Sequence, residues 1–261
     1  ISSASQDGKQ MLQEYRKSIL FDYSYRHFYK DGYGKEYQIL NLKDEKYSDN
    51  TKNTLLLANL LTFYEQKIIY NTHREKMKVY NLEEPLWIFV GSRVKGKNQR
   101  SDIRNVVIFL QKVLKNKSNW VIKTIKKILE GNSGLIDEKQ RDLFSPSYPD
   151  KRLSYLRNSG YSPQEIYEDV LEKIFHCGSS VSLHLVNLKN ASGEIALKAG
   201  NSQFFGLINI GDDRDFLRET KKEMEITVDS DEITHSLFDD INKSDSEINI
   251  LIGAKKFIEG W

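Results

Sequence analysis

Leu86-Trp87-Ile88-Phe89-Val90-Gly91-Ser92 is the stretch that decides the fold class. Its apolar run has no polar interruption and stops at a Gly-Ser pair, the pattern of a short strand buried on both faces of a parallel sheet. Just downstream, Ser101 is placed to cap a helix that carries Ile103, Val106, Val107, Leu110, Val113 and Leu114 on one face. Strand, loop and helix make half of a βαβ unit. The expected class is therefore α/β, a parallel sheet flanked by helices.

The final third of the chain adds strands to that unit. Val181, Leu183 and Leu185 alternate, and Asn190-Ala191-Ser192-Gly193 turns the chain toward Ile195 and Leu197, which predicts a β-hairpin. Phe204-Phe205-Gly206-Leu207-Ile208-Asn209-Ile210-Gly211-Asp212 reads as another buried strand ending in a polar loop. A helix is expected around His235 to Ile241, then a last strand over Ile248-Asn249-Ile250-Leu251-Ile252.

Upstream, the apolar residues between Asn53 and Tyr70, among them Leu55, Leu56, Leu60, Phe63 and Tyr64, predict a buried amphipathic helix. Residues 116–177 read as a helical insertion, with Val121, Ile125, Ile128 and Leu129 in one stripe and Lys123, Lys126 and Lys127 off it. Within the insertion, Ser162-Pro163-Gln164-Glu165 is a helix start, with a serine cap, proline in the first turn and a glutamate to complete a capping box. The expected organisation is a segment 1–80, a main domain 81–115 with 178–261, and the insertion 116–177 between its halves.

Composition narrows the function classes. The chain has 261 residues, 39% hydrophobic and 29% charged, enough for a substantial core without disulfides. Its one cysteine, Cys177, excludes an internal disulfide and a cysteine-based metal site. No apolar run is long enough to cross a membrane, so a cytoplasmic protein is expected. The net charge is only +2, so a nucleic-acid surface has to come from local clustering of cations. The chain begins on Ile1 and stops at Trp261 just after an apolar strand, so it is expected to be an internal piece of a longer protein.

Two loops carry candidate chemistry. Gly91, Ser92, Arg93, Lys95, Lys97 and Arg100 follow the first strand, where ligands bind in open α/β sheets, at the carboxyl ends. The cations there suit phosphates, and the Gly91-Ser92 amides add neutral donors. A solvated lysine-rich loop is the plain alternative. The second loop, Gly253-Ala254-Lys255-Lys256, follows the last strand, and its small pair would let a ligand backbone approach closely.

Other constellations are weaker. No Gly-x-x-x-x-Gly-Lys-Ser/Thr occurs, and no two of the five histidines are spaced to hold zinc. His176 beside Cys177 reads as a structural pair, and Glu65-Gln66-Lys67 fits a nuclease tripeptide that is common by chance. The aromatic run Phe21 to Tyr37 suits packing between domains better than base stacking. The basic helix at Lys115–Lys127 is a solvated face or a DNA-facing one.

Four segments together carry a resemblance. Phe21-Asp22-Tyr23-Ser24-Tyr25-Arg26-His27-Phe28-Tyr29-Lys30-Asp31-Gly32-Tyr33-Gly34-Lys35, the strand Pro85 to Ser92, Phe205 to Asp212, and above all Ile248 to Trp261 resemble the DEAD/DEAH-type superfamily 2 helicases of the type III restriction enzyme Res-subunit group. The resemblance implies a RecA-like second motor domain, with Pro85–Ser92 similar to helicase motif IV and Ile248–Trp261 to motif V. It implies that Gly253, Ala254 and Lys255, with Lys256 beside them, face the DNA backbone, and that Glu259 and Gly260 face the nucleotide. ATP and Mg²⁺ would be cofactors of the parent protein. DNA, the other motor domain and a modification methyltransferase subunit would be its partners. The alternative is a non-enzymatic nucleic-acid-binding or protein-docking module that keeps the fold without the motor.

The sequence departs from that pattern at Ala254, where many relatives carry Ser or Thr. It also lacks the Walker motifs and the arginine-finger motif, and an absent arginine finger alone lowers phosphoryl-transfer rates by ~10³–10⁵. These 261 residues by themselves are not expected to hydrolyse ATP.

Overall fold

The computed structural model describes residues 23–33, 42, 48–91, 102–210, 213–223, 226–231, 236–243 and 245–253. The chain divides into two compact units, Ile1–Asn41 and Leu42–Trp261. In the first, helix α1 (Tyr25–Lys30) ends at a turn in which Gly32 takes a φ of +86°, the left-handed conformation the Asp-Gly pair predicts. The Tyr23 hydroxyl donates to Asp31 at 2.7 Å, and the Phe28 and Tyr33 rings lie 5.7 Å apart. Tyr23, Tyr25, Phe28, Tyr29 and Tyr33 are all exposed.

The second unit is built on a six-stranded sheet. Its strands are β1 (Trp87–Val90), β2 (Leu183–Leu188), β3 (Glu194–Ala199), β4 (Phe204–Asn209), β5 (Thr227–Asp231) and β6 (Ile250–Gly253). They lie in the order β1-β6-β4-β3-β2-β5. Pairings β1–β6, β6–β4 and β2–β5 are parallel, whereas β2–β3 and β3–β4 are antiparallel. The hairpin read from Asn190 to Gly193 joins β2 to β3 and places these antiparallel pairs inside an otherwise parallel α/β sheet. Gly206 of β4 is pressed between its neighbours: a Cβ there would meet Leu197 Cδ1 at 3.0 Å and the Ile250 carbonyl at 3.2 Å.

Helices cover the sheet. Helix α2 (Asp49–Thr72) starts at Ser48, whose hydroxyl accepts the Thr51 amide at 3.1 Å. It buries Leu57, Leu60, Leu61, Phe63 and Tyr64, each apolar side chain worth about 1.5–3 kcal/mol. Phe63 stacks on Trp87 at 5.9 Å, which fixes α2 to β1. A short α3 (Arg74–Lys78) follows. Helix α4 (Asp102–Lys115) ties to β2 through Gln111, whose side-chain oxygen accepts the Leu183 amide at 2.7 Å.

The stretch 116–177 holds α5 (Trp120–Leu129), α6 (Ser154–Asn158) and α7 (Pro163–Phe175). Helix α5 packs on α2 and α7, and Phe175 of α7 meets Phe205 edge-on at 4.9 Å. The capping box expected at the start of α7 forms: Ser162 donates its amide to Glu165 at 2.7 Å and accepts the Glu165 amide at 3.3 Å. Helix α8 (Asp213–Glu223) lies between β4 and β5 in the chain.

Two expectations are corrected. Strand β1 is not buried on both faces: it is an edge of the sheet, and Ile88 and Val90 are 42% and 44% exposed. Ile88 continues the row Leu251, Leu207, Ala196, Val186, which is buried farther in under Leu237, Phe238, Ile241 and Ile248. The expected helix at 235–241 is instead a run of turns over 237–242. Its amides are held from elsewhere, since the buried Glu194 carboxylate accepts the Leu237 and Phe238 amides at 3.0 and 3.3 Å.

Candidate functional site

Gly91 and Gly253, the described residues at the start of the two candidate stretches, lie side by side at the carboxyl ends of β1 and β6. In the β1–β6 pair Val90 stands opposite Gly253, and the Gly91 amide donates to the Gly253 carbonyl at 2.9 Å. Asn209 of β4 stands opposite Gly253 on the other side, and Glu194 of β3 opposite Asn209. Val90, Gly253, Asn209 and Glu194 thus form one row across four strands, and three of those strands point their carboxyl ends at it. Crevices outside the carboxyl ends are where open α/β sheets bind ligands.

Gly91 is buried, and a Cβ on it would approach Ile103 Cγ1 to 3.1 Å and Asp102 Cβ to 3.6 Å. The end of β1 and the first turn of α4 therefore lie side by side. The first turn of α8 opens after β4 in the same way. Two helix N-termini follow these strand ends, and each offers a positive dipole end. Acids already sit in both first turns, Asp102 in α4 and Asp213 with Asp215 in α8, and Asp215 pairs with Arg218 at 2.7 Å. These acids already occupy the positive ends of the two helices.

Gly91 and Gly253 are the two candidate residues that the structure describes and brings together. Ser92, Arg93, Lys95, Lys97, Arg100 and Ser101 lie outside the described residues, as do Ala254, Lys255, Lys256, Glu259 and Gly260. Asn209 and Glu194 carry no motif that would single them out in the sequence. Each sits next to a turn at a strand end, and only the register reveals that they line up with Gly253.

A cleft of about 440 Å³ lies at the other ends of these strands, against Phe204 and Ile248, with Lys198, Asp240 and Lys243 on its rim. It contains none of the candidate residues. Among the described residues no group of three His, Cys, Asp or Glu side chains is placed to hold a metal ion. Among them, too, no helix is long and apolar enough to cross a membrane.

The remaining suspects from the sequence have structural roles. The Glu65 carboxylate accepts the Leu156 amide at 3.1 Å, so it caps the first turn of α6 from a distant helix. Burial pushes that carboxyl up from its ordinary range, against the backbone amides and Arg157 that pull it down. Lys67 pairs with Glu84 at 2.6 Å and donates to Asn249. The nuclease tripeptide is thereby divided between two structural contacts. Cys177 donates its amide to the Leu171 carbonyl at 3.0 Å, and burial raises its thiol above the ordinary range, which disarms it as a nucleophile.

No protein-family model, curated protein or solved structure matches the chain.

Proposed function

We propose that this chain supplies the second motor domain of an ATP-dependent DNA translocase of the type III restriction Res-subunit kind, with the carboxyl edge of β1, β6 and β4 as its working side. The observation that supports the reading is the pairing of Gly91 with Gly253, the residues from which the motif IV-like and motif V-like stretches continue. Two segments some 160 residues apart share a chemistry in the sequence, cations behind small residues, and each begins at one of these two glycines.

In this reading Gly91, Ser92, Arg93 and Lys95, with Gly253, Ala254, Lys255 and Lys256, hold the DNA backbone through charge and backbone amides. Glu259 and Gly260 face the nucleotide, bound between this domain and the other motor domain. Bound ATP with Mg²⁺ would supply the free energy of phosphoryl transfer. This chain's own part is to hold DNA and to offer one wall of the cleft.

The test is duplex affinity against salt concentration for the chain and for R93Q/K95Q/K255Q/K256Q. Removing one phosphate-binding cation lowers the salt slope by about 0.9, so the variant is expected to bind more weakly and with a flatter slope. Unchanged affinity removes these loops from a DNA site and sinks the reading.

A further inference from the structure

One basic surface belongs to neither loop. Between Ile103 and Leu129 the sequence has seven cations and no acid, and with Asp102 and Glu130 at its ends the segment carries +5. The whole chain carries +2, so the remaining residues sum to −3. Charge is thus concentrated on the segment that holds α4 and α5, well beyond what composition alone would put there.

The fold lays part of this charge in a row. Helix α5 buries Val121, Thr124, Ile125 and Ile128, packed onto α2 and α7, and turns Lys123, Lys126 and Lys127 outward. Glu130 approaches Lys126 only at 3.8 Å, with both side chains at least half exposed, an ion pair that contributes little. Lys117, ahead of α5, is exposed too. Lys123 and Lys127 are one helical turn apart, about 6 Å along the axis, which spans about two phosphates of one DNA strand.

We propose that the outward face of α5, through Lys123, Lys126 and Lys127, is an auxiliary contact for the phosphate backbone of duplex DNA. This rests on the translocase reading for the identity of the polyanion. An anionic lipid surface is the poorer match, because the apolar stripe of α5 is spent in the core and leaves nothing to insert. Single-stranded nucleic acid is also poorer, since the row presents charge without exposed rings for stacking. A packed helix fixes where the three side chains start, and the Lys123 ammonium also donates to the Ser118 carbonyl at 3.0 Å, so contact is sequence-independent and adds to the loops.

The experiment compares binding of a fluorescent 30-base-pair duplex across a salt series for four proteins. They are the chain, K123Q/K126Q/K127Q, the charge-keeping K123R/K126R/K127R, and K52Q/K76Q/K221Q, which lowers net charge equally at scattered exposed sites. The expected result is a salt slope lower by about 2.7 in K123Q/K126Q/K127Q, three phosphates at ~0.9 each, with the other two variants near the unaltered chain. An unchanged slope in K123Q/K126Q/K127Q overturns the proposal, as does an equal fall in the scattered variant. Binding of polyglutamate in place of duplex, abolished in the same variant, also overturns it in favour of an acidic protein partner. The loop variant R93Q/K95Q/K255Q/K256Q reports separately on the translocase reading, since its slope moves whether or not α5 takes part.

Discussion

The amide of Gly91 donates to the carbonyl of Gly253 at 2.9 Å, joining the end of the first strand in the chain to the end of the last. On the other side of β6, Asn209 stands opposite the same glycine. The function proposed for the sheet starts from this alignment, because the two candidate stretches of sequence continue from these two paired glycines.

Close approach within the sheet gives the first prediction. Gly206→Ala would set a Cβ 3.2 Å from the Ile250 carbonyl and 3.0 Å from Leu197, and a backbone atom between paired strands has little room to give. The variant is expected to lose about 1–3 kcal/mol in urea denaturation. A loss under about 0.5 kcal/mol would mean that β4 and β6 are not packed as described.

Asn249 gives the second. Its side chain donates to the carbonyls of Lys173 and Ile174 at 3.2 and 2.9 Å and accepts from Lys67, while its backbone pairs with both Trp87 and Phe205. Asn249→Ala would leave the carbonyls at the end of α7 and the Lys67 ammonium without this partner. A loss of about 2–4 kcal/mol is expected, since each buried polar group left unsatisfied costs about 1–3. Chemical denaturation with an unchanged m-value is the readout.

How much of this is legible in the sequence depends on how far each interaction reaches. Ser162, Pro163 and Glu165 announce the start of α7 because the capping box is local, and the structure keeps it. The turn at Asn190–Gly193 announces a hairpin for the same reason. Ile88 and Val90 read as buried because a continuous apolar run does not tell a central strand from an edge; only the strand order does. The helix expected at 235–241 gives way to a long-range interaction, with Glu194 holding amides more than 40 residues away. Glu65 is a similar case, a carboxylate that serves Leu156, 91 positions along the chain.

That carboxylate supplies the third prediction. Glu65→Ala is expected to lower stability by about 1–3 kcal/mol, because it takes a cap away from α6. It leaves any DNA cleavage by the preparation unchanged. A metal-dependent nicking activity abolished in the variant, with its stability intact, would revive the nuclease reading.

Cys177 supplies a pH prediction. Burial raises the folded thiol above its ordinary value, so the folded chain holds this proton more tightly than the unfolded chain does. As pH rises through the ordinary thiol range the unfolded state ionises first, and stability falls until the folded thiol also ionises. Between about pH 8 and 10 the wild-type chain should lose stability faster than Cys177→Ser does. Parallel profiles for the two would contradict a half-buried thiol held protonated by its surroundings.

Whether the ends of β1 and β6 form one DNA-facing edge, as proposed, is read by lysine footprinting. The chain is acetylated with and without saturating duplex, and protection is read residue by residue. Joint protection of Lys95, Lys255 and Lys256 is expected, with Lys198 and Lys243 at the opposite ends of the strands reacting as in the free chain. Protection of Lys198 and Lys243 instead, with the two loops fully reactive, would contradict it.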